Sequence, residues 1–284
     1  PATGTLPGFG GDWALSALAA AGVHPADVRA GGPSAQDAYL AEWTNADWSD
    51  GTGLRAADYA RAVMLATASG LQPTRLSARS NLVARLAGLG QANGAFGAPE
   101  DLNATVFGVL ALSRTRVPAA ALRRATAFIR AGVHDDGGWN WTPATTPAEK
   151  ATPGDVDMTG AALAALCAAG ATTSDPDVAA GLAFLRGKLD DATGAFDALF
   201  GANADSNAWA IAGLNACGVD PQSPAWTTAQ GKTPIDYLLS LQRPDGAFQY
   251  TPSDPTPSLF STQGAVRALA GEDFGAAPPA GRVR

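Results

Sequence analysis

The chain has 284 residues, a net charge of −7, 46% apolar residues and 16% charged ones. That composition excludes a disordered chain, and the acidity with scattered arginines excludes a nucleic-acid binder or a protein docked on anionic lipid. The longest apolar run, AALAALCAAGA from Ala161, falls far short of the ~20 residues a membrane span needs, so no membrane insertion is expected.

Residues 1–9 read as a linker-like lead, and a chain that opens on Pro1 is expected to be part of a longer one. GDWALSALAAAG (11–22) is a first helix, apolar nearly all round and so buried on most sides. SAQDAYLAEW (34–43) is amphipathic, with one face for the core and one for water. The two kinds then alternate. Apolar DYARAVMLATASG (58–70) is followed by amphipathic ARSNLVARLAGL (78–89), and apolar NATVFGVLALS (103–113) by AAALRRATAFIRAG (119–132). DMTGAALAALCAAG (157–170) pairs with DPDVAAGLAFLRGKL (175–189), and DSNAWAIAGLNACG (205–218) with TPIDYLLSLQ (233–242). FSTQGAVRALAG (260–271) ends the series, and the Pro/Gly-rich residues 275–284 suit a tether to a further partner domain.

The apolar helices recur every ~45–55 residues, the scale of a two-helix unit. An open stack of such hairpins would expose apolar end faces, and closing it into a ring covers them. The expectation is an all-α fold, a single α/α toroid over residues 10–274. Its six inner helices run parallel, with at least five antiparallel outer helices around them.

A Gly–small–aromatic turn follows four of the outer helices: QANGAFG from Gln91, VHDDGGWNW from Val133, DDATGAFDA from Asp190 and RPDGAFQY from Arg243. The glycines are expected to end the outer helices in a left-handed conformation. Phe96, Trp139, Phe196 and Phe248 are then plugs between outer and inner helices. Asn103, Asp157 and Asp205 are expected as N-caps of the following inner helices.

Cys167 and Cys217 fall one repeat apart in similar apolar helices and read as two buried free thiols. The alternative is a bridge, which needs their Cα atoms within ~7 Å and favours an exported protein. His24 and His134 lie far apart, and no residues have metal-ligand spacing, so no metal and no cofactor is expected. Asp135–Asp136 and Asp190–Asp191 lack the alternating acids of a calcium loop and read as solvated turns.

The Gly–aromatic turns resemble the QW-type repeats of squalene and terpenoid cyclases, within the terpenoid cyclase/protein prenyltransferase toroid superfamily. The likeness runs from about Gly10 to Phe274. Its sharpest local match is DVDMTGAAL (155–163). Class II cyclases carry an Asp-x-Asp-Asp run there, then Thr and small apolar residues; Asp155, Asp157 and Thr159 match, and Met158 replaces the last acid. By that resemblance Asp157 is the proton donor and Asp155 its supporting carboxylate. Two arguments run against it: Met158 removes an acid that would raise the pKa of Asp157, and an N-cap position favours the charged form. The large cyclases also build their cavity between two barrels, whereas this chain holds one. A single barrel better resembles the helical domain of cobalamin carriers and its secreted bacterial relatives, which implies a non-catalytic binder located outside the cell or on its surface.

All inner helices should start at one end of the ring. Asp12, Asp58, Asn103 and Asp205 gather there, with the aromatics Trp13, Tyr59, Phe107, Trp141 and Trp209. A concave mouth with aromatic walls and few polar groups is the default ligand site. The expected occupant is a small hydrophobic or amphipathic ligand, or a partner domain. The alternatives are a class II-type cyclase using Asp157 and a scaffold with a filled core. The long connection 142–154 reads as a lid or as a passive linker.

Overall fold

The computed structural model describes residues 13–45, 56–76, 81–98, 101–115 and 119–271. The terminal stretches 1–9 and 275–284 lie outside the described residues.

Six inner helices form the ring: α1 (Ala14–Ala20), α3 (Ala56–Ala68), α5 (Leu102–Ser113), α8 (Val156–Ala168), α10 (Ala204–Ala216) and α12 (Leu259–Leu269). The outer helices are α2 (Ala35–Asn45), α4 (Leu82–Gly88), α6 (Ala119–Ala131), α9 (Pro176–Gly187) and α11 (Pro234–Ser240). A single-turn helix α7 (Pro147–Lys150) lies in the long connection, and a small antiparallel hairpin, β1 (Phe248–Thr251) with β2 (Asp254–Ser258), precedes α12. Each inner helix packs on the next, and α12 packs back on α1, so the ring closes. This is the expected α/α toroid. The apolar helices are buried nearly all round, as in α8, where ten residues from Val156 to Leu166 are buried. The amphipathic α6 buries only Ala125 and Ile129.

The four plugs behave alike. Phe96, Trp139, Phe196 and Phe248 are at most 1% exposed. Each donates its backbone N–H at 2.9 Å to a side chain in the first turns of the next inner helix: Thr105, Thr159, Asn207 and Thr262 in turn. Trp139 also donates its indole N–H to the carbonyl of Ile129 on α6 at 2.7 Å. Outer helix, plug and inner helix are thereby tied together.

Two local expectations are corrected. The left-handed glycines Gly94, Gly137, Gly194 and Gly246 stand two residues before each plug, inside the turn. The outer helices α4, α9 and α11 end instead on right-handed Leu89, Lys188 and Leu241. A Cβ on Gly137 would stand 2.8 Å from the carbonyl of Ala180 in α9, so close approach as well as φ requires glycine there. The N-caps also lie two residues earlier than expected. Asp101, Asp155 and Asn203 accept from Ala104, Met158 and Ser206, and Ser258 accepts from Ser261. The starts of α5, α8 and α10 each offer two polar residues two apart, and two residues turn a helix by about 200°. With the first capping from outside, the second faces the axis.

The cysteines are a further correction. Cys167 and Cys217 form a disulfide with Cα atoms 5.2 Å apart. The reason lies in the α8–α10 contact. A Cβ on Gly213 would stand 2.6 Å from the carbonyl oxygen of Gly160, and one on Gly160 would overlap the backbone of Trp209. Two helices this close bring their C-terminal cysteines within bonding reach, which each helix read alone does not reveal.

Candidate functional site

At the end where the inner helices begin, the ring holds a cavity of about 290 Å³. The centre is therefore not filled by the described residues. Of the expected site residues, Trp13, Asp58, Asn103 and Phe107 line it, as do Trp141, Asp157, Asp205 and Trp209. Tyr59 does not: at 4% exposure it is buried in the core. Asp155 caps α8 and does not line the cavity. Asp12 lies outside the described residues.

Three rings from alternate helices of the ring meet near its axis. Phe107 of α5 lies 5.9 Å from Trp13 beside α1 and 5.6 Å, edge-on, from Trp209 of α10. Small residues, Ala161 of α8, Ala208 of α10 and Gly264 of α12, leave the space open. Trp141 and Phe260, each about half exposed, stand at the rim. The carbonyl of Trp141 accepts from the N–H of Leu102 at the start of α5, which brings the indole to the mouth.

Sequence reasoning missed the polar residues on the inner faces of α3 and α12. Arg61, Gln263 and Arg267 line the cavity. Arg267 is 6% exposed and its guanidinium lies 5.0 Å from the ring centre of Trp13 and 5.9 Å from that of Trp209. Burial lowers its pKa to about 9, so it stays charged at neutral pH. The signal was present: Gln263 and Arg267 stand four apart on a helix otherwise apolar on that side, and so share a face.

The acids sit where their ionisation is costly. Burial pushes the Asp157 carboxyl up to about 6, against a hydrogen bond from Ser206, and the charges of Asp155 and Asp205 push the same way. Burial also raises Asp205, opposed by Ser261, and raises Asp155, opposed by the N–H of Met158. The Tyr250 hydroxyl on β1 is raised by burial and by the charges of Asp205 and Asp157. Asp157 is therefore not the cap expected of it, and the neighbour lost at Met158 is replaced in charge by Asp205 of the adjoining helix.

The connection 142–154 is strapped down. The carbonyl of Thr152 lies 2.8 Å from Nδ1 of His134, Lys150 donates to the carbonyl of Val133 at 3.1 Å, and Gly154 donates to Asp136 at 2.9 Å. Thr145 and Thr146 donate to Glu149, holding that carboxylate down at about 2. Asp136 and Asp190 serve their own turns, the latter accepting from Thr193. Among the described residues no group of three His, Cys, Asp or Glu could hold a metal, and no helix is long and apolar enough to cross a membrane.

No family model and no curated protein matches the sequence. Solved structures do match. A variant of the type II terpene cyclase MstE from Scytonema, in complex with its substrate geranylgeranyl dihydroxybenzoate, is similar at 16% identity and TM-score 0.61, over 92% of this chain and 86% of that one. Protein geranylgeranyltransferase-I from Candida albicans, complexed with GGPP, is similar at 14% identity and TM-score 0.62, over 91% and 82%. The ent-copalyl diphosphate synthase from Streptomyces platensis is similar at 18% identity and TM-score 0.60, and this chain spans 49% of it. The fold is the α/α toroid shared by terpenoid cyclases and protein prenyltransferases.

Proposed function

We propose that this toroid binds a small apolar or amphipathic molecule in the cavity at the N-terminal ends of its inner helices, without transforming it. The observation that carries the reading is the cavity itself: about 290 Å³, walled by Trp13, Phe107 and Trp209, with polar groups at its mouth and Arg267 against the aromatic rings below. That volume stands at the small end of ligand pockets, which run from about 300 Å³. Similar toroids support an apolar ligand, since the Scytonema and Candida structures carry isoprenoid compounds. The Cys167–Cys217 bridge supports a location outside the cell or on its surface, because such bonds persist in oxidising surroundings. Thermal shifts across a panel of lipids, isoprenoids and corrinoids test the reading. A shift of several degrees with one class is expected; none with any class would sink it in favour of a partner domain at this mouth.

A second reading is favoured by one residue. Asp157, buried and raised to about 6, is a carboxyl that holds its proton on the acidic side of neutrality, as the donor of a class II-type cyclase must. Incubation with squalene and linear prenyl diphosphates, read by mass spectrometry, separates the two. A cyclised product that vanishes in Asp157→Asn would replace the binding reading, and its formation would rise as the pH falls through about 6.

A further inference from the structure

Among the buried polar atoms of the residues that line this mouth, four on Asp157, Asp205 and Gln263 have no hydrogen-bond partner among the described residues: Oδ1 of Asp157, Oδ1 of Asp205, and both amide atoms of Gln263. All three residues line the cavity, and Gln263 is only 3% exposed. Native structures rarely leave such groups orphaned, so a missing partner is the first explanation to test. Three of the four are acceptors.

Their placement is ordered. Asp157 and Asp205 stand two residues inside the caps Asp155 and Asn203 of neighbouring helices α8 and α10. Gln263 stands on α12, the next helix in the ring, about one turn deeper than Phe260 at the equivalent level. The cationic groups lie elsewhere. Arg267 sits seven residues below Phe260, roughly 10 Å deeper at 1.5 Å per residue, with its guanidinium over Trp13 and Trp209. Arg61 is on α3, across the ring. The α8–α10 rim is thus rich in acceptors above a cationic, aromatic floor.

We propose that the head group of the bound molecule is a protonated amine, seated between Asp157 and Asp205 with Oε1 of Gln263 as third acceptor. This rests on the reading of the cavity as an apolar-ligand site and adds the chemistry of its polar end. A primary ammonium carries three N–H donors, matching the three acceptors. The hydrocarbon part lies against Met158, Ala161 and Phe107. The cation also offsets the like-charge repulsion that Asp157 feels from Asp155 and Asp205. Binding favours the ionised carboxylates, so amine affinity falls as the pH drops through about 6. Besides burial, the groups acting on this titration are Ser206, Asp155 and Asp205; Asp58 and Arg61 of α3 and Arg267 of α12 line the same cavity, and the Tyr250 hydroxyl feels the charges of Asp157 and Asp205.

Calorimetric titration of n-octylamine, n-octanol and n-octanoate at neutral pH tests the proposal. The amine is expected to bind about tenfold or more tightly than the alcohol, and the carboxylate most weakly. In the isosteric double variant Asp157→Asn/Asp205→Asn the amine should lose about tenfold or more and fall to the level of the alcohol measured on the same variant. Should the double variant lose its helical circular dichroism, Asp205→Asn alone carries the comparison and should give up part of the preference. Equal binding of octanol and octylamine to the unaltered chain overturns the head group and leaves the apolar-ligand reading standing. An amine preference that survives the asparagines overturns it too. If none of the three binds, the cavity reading fails and the head group with it.

Discussion

Asp157 is held at a cost to stability, and that cost can be measured. Its carboxyl is raised from 3.8 to about 6, chiefly by burial. A carboxyl raised on folding stabilises fully below its unfolded pKa, and that contribution is lost as the pH rises through the folded one. At pH 7 the ionised group therefore weighs against folding by on the order of 2–3 kcal/mol. Asp157→Asn is expected to stabilise the chain by about 1–3 kcal/mol at pH 7, with the gain fading towards pH 4. Urea unfolding at the two pH values checks this, and a loss of stability at neutral pH would contradict it. The sequence named this residue through its motif but misjudged its role, because DVD offers two acids and periodicity does not say which one caps. The 200° between them does: once Asp155 takes the N–H of Met158, Asp157 must face the axis. Arg267 and Gln263 escaped notice for a related reason. Polar residues in an apolar helix become informative only when it is known which neighbours share their face.

The repeating element is a tie between turn and helix as much as an apolar plug. Thr159 lies in the resemblance motif, yet its hydroxyl serves the backbone N–H of Trp139, as Thr105, Asn207 and Thr262 serve the other three plugs. Thr159→Val keeps the shape and removes the acceptor, leaving a buried N–H unpaired. The expected loss is about 1–3 kcal/mol, with Thr159→Ser recovering most of it. Equal stability of the valine and threonine chains in denaturant titration would refute the tie. Helix identities and the turns were legible because both rest on local pattern: apolar residues all round against one face, and glycine two residues before an aromatic. The glycine's job was less legible. It was expected to end the outer helix, but at Gly94, Gly137 and Gly194 its Cβ is excluded by backbone in or capping the following outer helix, a contact between repeats.

Ring closure was legible from the argument that no helical hairpin hides its own apolar face, and α12 against α1 fulfils it. What one-dimensional reading could not supply is unequal spacing around the ring. The pair α8 and α10 approaches most closely through Gly160 and Gly213, and the disulfide lies at the C-terminal end of that pair, away from the mouth. The bridge spans 50 residues of sequence, and closing a loop of that size restricts the unfolded chain by roughly 4 kcal/mol. The double variant Cys167→Ser/Cys217→Ser should therefore lose about 2–5 kcal/mol, lowering Tm by roughly 4–20 °C at ~2–4 °C per kcal/mol for a domain of this size. The loss should be global, because the ring unfolds as one body once a neighbour contact opens. Ligand affinity at the mouth, measured well below the transition, should be unchanged, since the cysteines lie more than two helical turns from the acids that line it. Scanning calorimetry of the two chains reads the first expectation and titration with one ligand the second. A serine variant as stable as the bridged chain would mean that the glycine contact alone holds α8 to α10. A variant that melts in two separate steps would mean that the ring is divided at this pair.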